Sequence, residues 1–287
     1  MKSILYWLVT IFSITVIISS CADCPPATTD FDKIRQALNT SPCSNGTFTR
    51  SSSSDNSSSS DSSSDSAIFL GVGDSGNIVR SADNGSSFDN VTSPTANRLR
   101  GVTFDNDTFV AVGISGTIVR STDNGSSWDN ATSPTTNILS GVSFGNDIFV
   151  AVGNSGNILR STDNGASFDN ATSPTSKNLR EVTFGNEIFL GVGKDGNIVR
   201  STDNGSSFDN ATSPTENNLW GIEFGNDIFV AVGHSGNIVR STDNGSSFDN
   251  VTSPTANLLW GVTFGNDIFV AVGNSGNILR STDNGAS

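Results

Sequence analysis

From residue 67 onward, the chain repeats itself every 40 residues. The segment GNDIFVAVGNSGNILRSTDNGAS occurs twice without a change, at 145–167 and at 265–287. A fixed period of this length is typical of repeat architectures, in which one supersecondary unit buries its apolar face only against its neighbours. The chain from 67 to 287 is therefore predicted to fold as one array of similar units. One arginine per period, followed by Ser-x-Asp-Asn-Gly, marks the repeat: Arg80, Arg120, Arg160, Arg200, Arg240 and Arg280.

Each period contains four short segments with β propensity, separated by turn signals. In the unit that starts at Leu99 these segments are LRGVTF, TFVAVG, TIVRST and SSWDNAT. The pair Asn124-Gly125 is the strongest turn signal, because Asn-Gly favours a tight hairpin. Four antiparallel strands per period without helices between them predict an all-β fold, a β-propeller of about six four-stranded blades. A β-solenoid is the alternative architecture, but its coils are usually shorter than a four-strand unit.

The two ends of the array look incomplete. Residues 67–287 hold about five and a half periods, so the first period starts at its second strand and the last stops before its fourth. A ring normally closes by sharing the strands of one blade between the two chain ends, which removes exposed edges. Here both ends carry the second and third strands. We therefore expect a chain that is truncated at its C-terminus, or a ring whose closure is imperfect.

The first 20 residues have the composition of a secretory signal. Lys2 precedes an apolar run from Ile4 to Ile18, and small residues lead to Cys21. Ile18-Ser-Ser-Cys21 resembles a bacterial lipobox, which implies that Cys21 is lipidated and becomes the mature N-terminus. An ordinary signal or an uncleaved anchor helix is the alternative. We expect an extracytoplasmic protein that is lipid-anchored to a bacterial membrane, at the outer membrane or cell surface rather than the inner membrane.

Residues 21–66 are predicted to connect this anchor to the repeats. Ser51–Ser66 contains no apolar residue, so it cannot bury surface to offset the entropy of ordering and should be a disordered tether. Cys24 and Cys43 lie in the same segment and are candidates for a disulfide in an oxidising compartment, with two unpaired thiols as the alternative. The predicted domains are a lipoprotein-type signal at 1–20, a lipidated and disordered tether at 21–66, and the repeat array at 67–287.

Composition and charge exclude several classes of function. The chain has 15 basic and 28 acidic residues and a net charge of −13. That balance argues against binding to a nucleic-acid backbone or to an anionic lipid surface. All three cysteines precede residue 44, so the repeats hold no thiol nucleophile. No cofactor and no metal site is predicted, because the turns rich in Asp and Asn lack calcium-loop spacing.

A motif of Ser-x-Asp-x-Gly-x-x-aromatic recurs once per period. Asp can accept hydrogen bonds from the amides of its own turn, Gly takes a positive φ, and the aromatic residue packs beneath. The motif resembles the Asp-box, or bacterial neuraminidase repeat, which implies a structural turn between the third and fourth strands of a blade. The matching residues are Ser81, Asp83, Gly85, Phe88, Ser121, Asp123, Gly125, Trp128, Ser161, Asp163, Gly165, Phe168, Ser201, Asp203, Gly205, Phe208, Ser241, Asp243, Gly245, Phe248 and, in a partial copy, Ser281, Asp283 and Gly285.

The longer pattern from Ala111 to Gly125 looks most like the photosystem II assembly and stability factor propellers, and the resemblance covers 67–287. Those relatives are non-catalytic scaffolds that bind other proteins. Sialidases share the box, but the tyrosine nucleophile they need has no counterpart, because Tyr6 in the signal is the only tyrosine. Symmetry spreads the period-marking arginines around the ring, so a salt-bridge or strand-surface role is predicted for them.

These resemblances imply a non-enzymatic, envelope-anchored scaffold that binds a protein partner. A glycan-binding or adhesive module is the alternative, and a sialidase-type hydrolase is the third and least favoured reading.

Differences between the units indicate one face as the candidate binding surface. The turn after the second strand and the entry into the first strand vary, whereas most other positions are nearly constant. In a four-stranded blade these two places lie on one side of the disc, around the channel mouth. Loops on a rigid scaffold favour binding, and Trp and Arg are favoured interface anchors. The alternative is neutral drift, with the tryptophans packing between blades. The candidates are Arg100, Arg180, Trp220, Trp260, Lys194 and His234.

Overall fold

The computed structural model describes residues 47–51, of which only the backbone is considered, and residues 67–287. The predicted signal at 1–20, the three cysteines and most of the predicted tether lie outside these residues. In the part of the chain that is described, no helix is long and apolar enough to cross a membrane.

The described residues form six antiparallel sheets, which we call blades 1 to 6. Blades 1 to 5 have four strands each, which follow one another across the sheet in chain order, and blade 6 has three. Blade 1 contains β1 Thr47–Ser51, β2 Ile68–Val72, β3 Ile78–Ser81 and β4 Asp89–Val91, and blade 2 contains β5 Leu99–Asp105, β6 Thr108–Gly113, β7 Ile118–Ser121 and β8 Asp129–Asn130. Blade 3 contains β9 Leu139–Gly145, β10 Ile148–Gly153, β11 Ile158–Ser161 and β12 Asp169–Asn170, and blade 4 contains β13 Leu179–Gly185, β14 Ile188–Gly193, β15 Ile198–Ser201 and β16 Asp209–Asn210. Blade 5 contains β17 Leu219–Gly225, β18 Ile228–Gly233, β19 Ile238–Ser241 and β20 Asp249–Val251, and blade 6 contains β21 Leu259–Gly265, β22 Ile268–Gly273 and β23 Ile278–Ser281.

Blade 1 has a first strand that the repeat pattern does not show. The repeat pattern predicts that this blade begins at its second strand, near Ala67. In the structure, β1 pairs antiparallel with β2, with Thr47 opposite Val72 and Ser51 opposite Ile68. The opening strand therefore comes from the segment interpreted as a tether, before the serine-rich stretch. The described residues of blade 6 form three strands, as the sequence predicts.

Tight turns join the strands of each blade. Asn106 and Asp107, between β5 and β6, have φ values of 48° and 57°, as the mirror-image hairpin turns require. A single 3₁₀ turn follows each second strand, and its middle residue lies in the left-handed region, as at Ser115 with φ 57°. The six 3₁₀ turns are Asp74–Gly76, Ile114–Gly116, Asn154–Gly156, Lys194–Gly196, His234–Gly236 and Asn274–Gly276.

The first strands of neighbouring blades lie side by side around a central axis. A Cβ added to Gly101 of β5 would lie 3.1 Å from the carbonyl oxygen of Ser140 in β9, and one added to Gly221 of β17 would lie 2.9 Å from the Cα of Gly261 in β21. Such close approach of two backbones favours glycine at this position. The inner strands therefore line a narrow central channel.

The second strands of blades 2 to 5 are buried on both faces, because each contacts two neighbouring blades. All six residues of β6 are buried. Val110 and Val112 pack with Phe149 and Ala151 of blade 3, in a cluster that also contains Phe168. Alternate residues, such as Phe109 and Ala111, pack against blade 1. The continuous apolar run IFVAVG is thus what a strand covered on both sides requires, and the core is a series of layers between blades.

The period-marking arginine joins each blade to the next. Arg120 Nε donates to the carbonyl oxygen of Asn164 at 2.6 Å, and Arg160 Nε donates to that of Asn204 at 2.7 Å. Arg80, Arg200 and Arg240 make the same bond to the following blade. A salt bridge was one of the two roles predicted for these arginines, but the partner is a backbone carbonyl rather than a carboxylate. The arginine therefore makes a charge-assisted hydrogen bond between blades.

This bond predicts a position-dependent cost of removing the arginine. Arg160→Met leaves the Asn204 carbonyl without its donor and should lower the free energy of unfolding by about 1–2 kcal/mol. Arg280 occupies the same place in blade 6, where it is exposed. Arg280→Met should therefore change stability by less than about 0.5 kcal/mol. Chemical denaturation of both variants tests this, and equal losses in the two would contradict the inter-blade role.

Candidate binding site at the channel mouth

A β-bulge places one residue of each inner strand at the mouth of the channel. In blade 2, Leu99 pairs with Gly113 and Gly101 with Val112, so the register shifts at Arg100, which is the bulged residue. The same shift in register occurs in blades 3 to 6. Bulges re-aim a side chain and release it from strict pairing. The bulged residues are Arg100, Ser140, Arg180, Trp220 and Trp260.

Four of the predicted residues form one contiguous group, which we call the mouth cluster: Arg180, Trp220, Trp260 and His234. The guanidinium carbon of Arg180 lies 4.7 Å from the ring centroid of Trp220. Trp220 contacts Trp260 edge to face at 5.0 Å and stacks on His234 at 5.9 Å. These aromatic and cation–π contacts hold the side chains in fixed orientations.

Arginines give the mouth a positive field. Burial lowers the pKa of Arg180, and burial together with repulsion from Arg98 and Arg180 lowers the pKa of Arg100. Arg98 Nε also pairs with Asp74 Oδ1 at 2.9 Å, across the boundary between blades 1 and 2. The mutual repulsion indicates that the arginines share one electrostatic environment, although the chain as a whole carries a charge of −13.

The two variable places of the repeat adjoin each other in the structure. The amide of Ser155, in the turn after β10, donates to Asn178 Oδ1 at the entry to β13, at 2.9 Å. In blade 6, Trp260 Nε1 donates to Asn274 Oδ1 at 2.6 Å. Lys194 is exposed in the corresponding turn of blade 4 and is not part of the mouth cluster.

Among the buried polar atoms at the mouth, Trp220 Nε1 and Ser140 Oγ have no hydrogen-bond partner within the described residues. An unsatisfied buried donor costs on the order of 1–3 kcal/mol, so such atoms are rare unless a bound group or water satisfies them. Ser140 was not among the residues singled out from the sequence. The sequence could have indicated Ser140, because it occupies the same position of the repeat as Arg100 and Arg180.

Two carboxyl groups in the inner strands were also missed by sequence reasoning. Glu181 stands where blades 2, 3, 5 and 6 have glycine, and Glu223 stands where the others have Thr or Ser. Burial raises the pKa of Glu181 to about 8 and that of Glu223 to about 7, although each accepts an amide hydrogen bond from the next residue. Repulsion from Glu223 adds to the shift at Glu181.

The Ser-x-Asp-x-Gly turns form a second set of predicted residues, which we call the box turns. In blade 2, Gly125 has φ 78°, and its amide donates to Ser121 Oγ at 2.9 Å. Asp123 accepts hydrogen bonds from the hydroxyl and amide of Ser127, which lower the pKa of Asp123 to about 2. The motif treats Ser127 as a free position, yet a serine stands there in every unit.

Below the box turns of blades 2 to 5, the aromatic residue fills a layer between two blades. Trp128 is 6% exposed, and Phe168, Phe208 and Phe248 are at most 3% exposed. Every Asp of these turns is engaged with its own loop. Among the described residues, no three His, Cys, Asp or Glu side chains converge in a way that could hold a metal ion.

Comparison with known proteins gives a fold but no family. No protein-family model matches the sequence, and no curated protein matches it. A solved structure of YCF48 bound to D1 peptide is similar at a TM-score of 0.60 and 16% identity, over 74% of this chain and 73% of that chain. YCF48 from Cyanidioschyzon merolae has a TM-score of 0.59 and 17% identity, over 74% of this chain and 79% of that chain. The WD40 repeats of RRP9 have a TM-score of 0.61 and 9% identity, over 74% and 72% respectively.

The six radial sheets and these neighbours define the chain as a β-propeller. At such low identities the likeness extends to the fold alone. What distinguishes this propeller from others must come from its own side chains, and the mouth is where the units differ from one another.

The channel carboxyls predict that stability falls as pH rises. An acid whose pKa is raised by folding favours the protonated native state, so its penalty is absent below an unfolded-state pKa of about 4.5 and complete above the folded value. The free energy of unfolding of Glu181→Gln should therefore equal that of wild type near pH 4.5 and exceed it by about 2 kcal/mol at pH 9. This gain is smaller than the full pKa shift implies, because the side chain keeps some contact with solvent.

The gain in stability of Glu223→Gln should depend on pH in the same way, with a midpoint about one pH unit lower. Denaturation midpoints measured from pH 4.5 to 9 test both variants. A gain that does not change with pH would contradict the burial of charge in the channel.

Proposed function

We propose that this β-propeller is a non-enzymatic scaffold that binds a segment of a partner protein at the channel mouth. The observation that carries the proposal is the mouth cluster itself. It combines one guanidinium group, one imidazole, two indoles and the unsatisfied Nε1 of Trp220, and Arg100 and Ser140 occupy the equivalent bulged positions of blades 2 and 3. Trp and Arg dominate the energetics of protein interfaces when they are partly buried and pre-oriented.

The charges of the mouth specify the chemistry of the partner. Arg100 and Arg180 favour carboxylates, which guanidinium groups bind through paired hydrogen bonds. Trp220 and Trp260 favour an apolar or aromatic side chain beside that carboxylate. A peptide segment with acidic residues next to an apolar residue fits both features. In the YCF48 structure the bound molecule is described as the D1 peptide, so a propeller of this architecture can hold a peptide.

The proposal includes a location outside the cytoplasm. A lipidated Cys21 and the tether at 21–66 would hold the propeller at a bacterial membrane, with the outer membrane or cell surface favoured, and the partner would be an envelope protein in an assembly-factor-like role. The support is the order of a charged start, an apolar run and Ile18-Ser-Ser-Cys21 in the sequence. Box turns of the Asp-box type agree with an extracytoplasmic propeller but do not specify its partner.

The anchor can be tested on its own. The wild-type chain expressed in a bacterial host should incorporate a radiolabelled or clickable fatty acid and partition into detergent, and Cys21→Ser should abolish both. Cys24→Ser serves as the matched control, because it removes a thiol three residues away and should leave labelling unchanged. Labelling that persists in Cys21→Ser would contradict lipidation at this residue.

Peptide selection tests the mouth. Random peptides displayed on phage and selected on the full chain should become enriched in Asp or Glu next to an apolar residue. Trp220→Ala combined with Trp260→Ala should weaken a selected peptide at least tenfold, and Arg100→Gln combined with Arg180→Gln should weaken it further at low salt. Arg280→Gln removes the same charge far from the mouth and should have no effect.

Two results would count against this function. Enrichment of basic peptides would contradict the proposed role of the mouth. So would double variants that bind the selected peptide as tightly as wild type does. Saturable binding on a glycan array that depends on Trp220 and Trp260 would favour the glycan-binding alternative, because aromatic side chains also stack on sugar rings.

A further inference from the structure

Three consecutive inner strands bring two arginines to either side of one serine. Arg100, Ser140 and Arg180 are the bulged residues of blades 2, 3 and 4. A Cβ added to Gly101 would lie 3.1 Å from the carbonyl oxygen of Ser140, and one added to Gly141 would lie 3.1 Å from that of Arg180. The backbones therefore approach closely at all three positions, and the three side chains start from adjacent points of the channel mouth.

Buried donors at this place lack an acceptor. Ser140 Oγ and Arg98 Nη2 are buried and have no hydrogen-bond partner within the described residues. Arg98 comes directly before β5, and its Nε lies 2.9 Å from Asp74 Oδ1. A guanidinium nitrogen can only donate, and a serine hydroxyl can donate as well as accept. Since a buried donor without a partner is costly, what these groups lack is a hydrogen-bond acceptor.

The local charge favours an anion as that acceptor. Burial, together with repulsion from Arg98 and Arg180, lowers the pKa of Arg100, while attraction by Asp74 acts in the opposite direction. Arg98 and Arg180 therefore both lie close enough to Arg100 to act on its charge, and Asp74 offsets one of the three. Glu181 follows Arg180, but burial raises the pKa of Glu181 to about 8, so this carboxyl is largely uncharged at pH 7. The mouth thus holds an excess of positive charge beside the unsatisfied donors.

Arg180 is already oriented for such an acceptor. Its guanidinium carbon lies 4.7 Å from the ring centroid of Trp220. Stacking on an aromatic ring uses the face of the guanidinium, whereas the N–H groups lie in its plane and remain able to donate. Trp220 therefore fixes the guanidinium without consuming a donor, and an anion that binds there meets a pre-organised group.

We propose that Arg100, Ser140 and Arg180, with Arg98 beside them, form a site for a tetrahedral oxyanion, phosphate or sulfate. A carboxylate has two oxygens in one plane, which a single guanidinium satisfies through paired hydrogen bonds. The oxygens of a phosphate or sulfate point to the corners of a tetrahedron, so the group can accept from guanidinium groups on two sides and from a hydroxyl between them. The site goes beyond the proposed function, because it requires no peptide partner.

Calorimetric titration of the full chain with inorganic anions tests the site. Sodium phosphate and sodium sulfate should each bind saturably, at one site per chain. Sodium acetate should bind about tenfold more weakly or worse, since it loses at least one hydrogen bond to a charged group. Sodium chloride keeps the ionic strength equal in all titrations, because salt screens any attraction to the arginines. Phenyl phosphate identifies the source of the group: binding tighter than that of inorganic phosphate indicates an ester on a partner molecule, and equal or weaker binding indicates the free anion.

Ser140→Ala separates anion binding from a structural role. Because the hydroxyl has no partner within the described residues, the variant should unfold at the wild-type midpoint or slightly above it when no phosphate is present. It should nevertheless bind phosphate about tenfold more weakly, since one hydrogen bond to a charged group is lost. Arg100→Gln combined with Arg180→Gln should abolish saturable binding. Arg280→Gln removes a charge far from the mouth and should leave phosphate binding unchanged.

The opposing outcomes are distinct. Acetate that binds as tightly as sulfate, or Ser140→Ala that binds phosphate as wild type does, would overturn the tetrahedral site. Absence of saturable phosphate binding would overturn it too, even where acidic peptides are still selected. Trp260 Nε1 is already bonded to Asn274 Oδ1, so Trp260→Ala should weaken a selected peptide and leave phosphate binding unchanged. Loss of peptide selection with intact phosphate binding would count against the proposed function alone.

Discussion

The interface between neighbouring blades is the constraint on which this structure depends. A second strand such as β6 is apolar on both faces, so one blade alone would expose half of its core residues. Each interface buries an apolar cluster and adds the bond from the period-marking arginine to a backbone carbonyl of the next blade. Stability is therefore a property of adjacent pairs, as in other repeat proteins, and any position that contributes to this interface has little freedom to change.

That constraint confines functional variation to positions outside the interfaces. The bulged residue of the inner strand and the turn after the second strand lie at the channel mouth, outside the apolar clusters between blades, so they can differ without breaking those clusters. Arg100 and Arg180 place positive charge there on a chain with a net charge of −13. The scaffold supplies rigidity and the irregular positions supply chemistry, which is the usual division in folds that serve many functions.

The period and turn signals in the sequence predict the strands and their order well, because both are local. They do not predict contacts between distant residues. Arg120 bonds a carbonyl at Asn164 in the next unit, and a one-dimensional pattern cannot indicate a backbone partner. Glu181 was missed because it is a single departure from glycine, and its raised pKa arises from packing in the channel. The strand Thr47–Ser51 was missed because it has none of the residues that mark a repeat unit.

The two identical 23-residue segments separate local from neighbouring effects. Their strands, 3₁₀ turns and positive-φ residues are the same, as at Ser155 with φ 58° and Ser275 with φ 60°. The two segments differ in burial, because Ile158 is covered whereas Ile278 is 61% exposed. Local sequence therefore determines the conformation of a unit, whereas its neighbours determine how much of it is buried. Conformation within a unit is therefore local, whereas burial is a property of adjacent units.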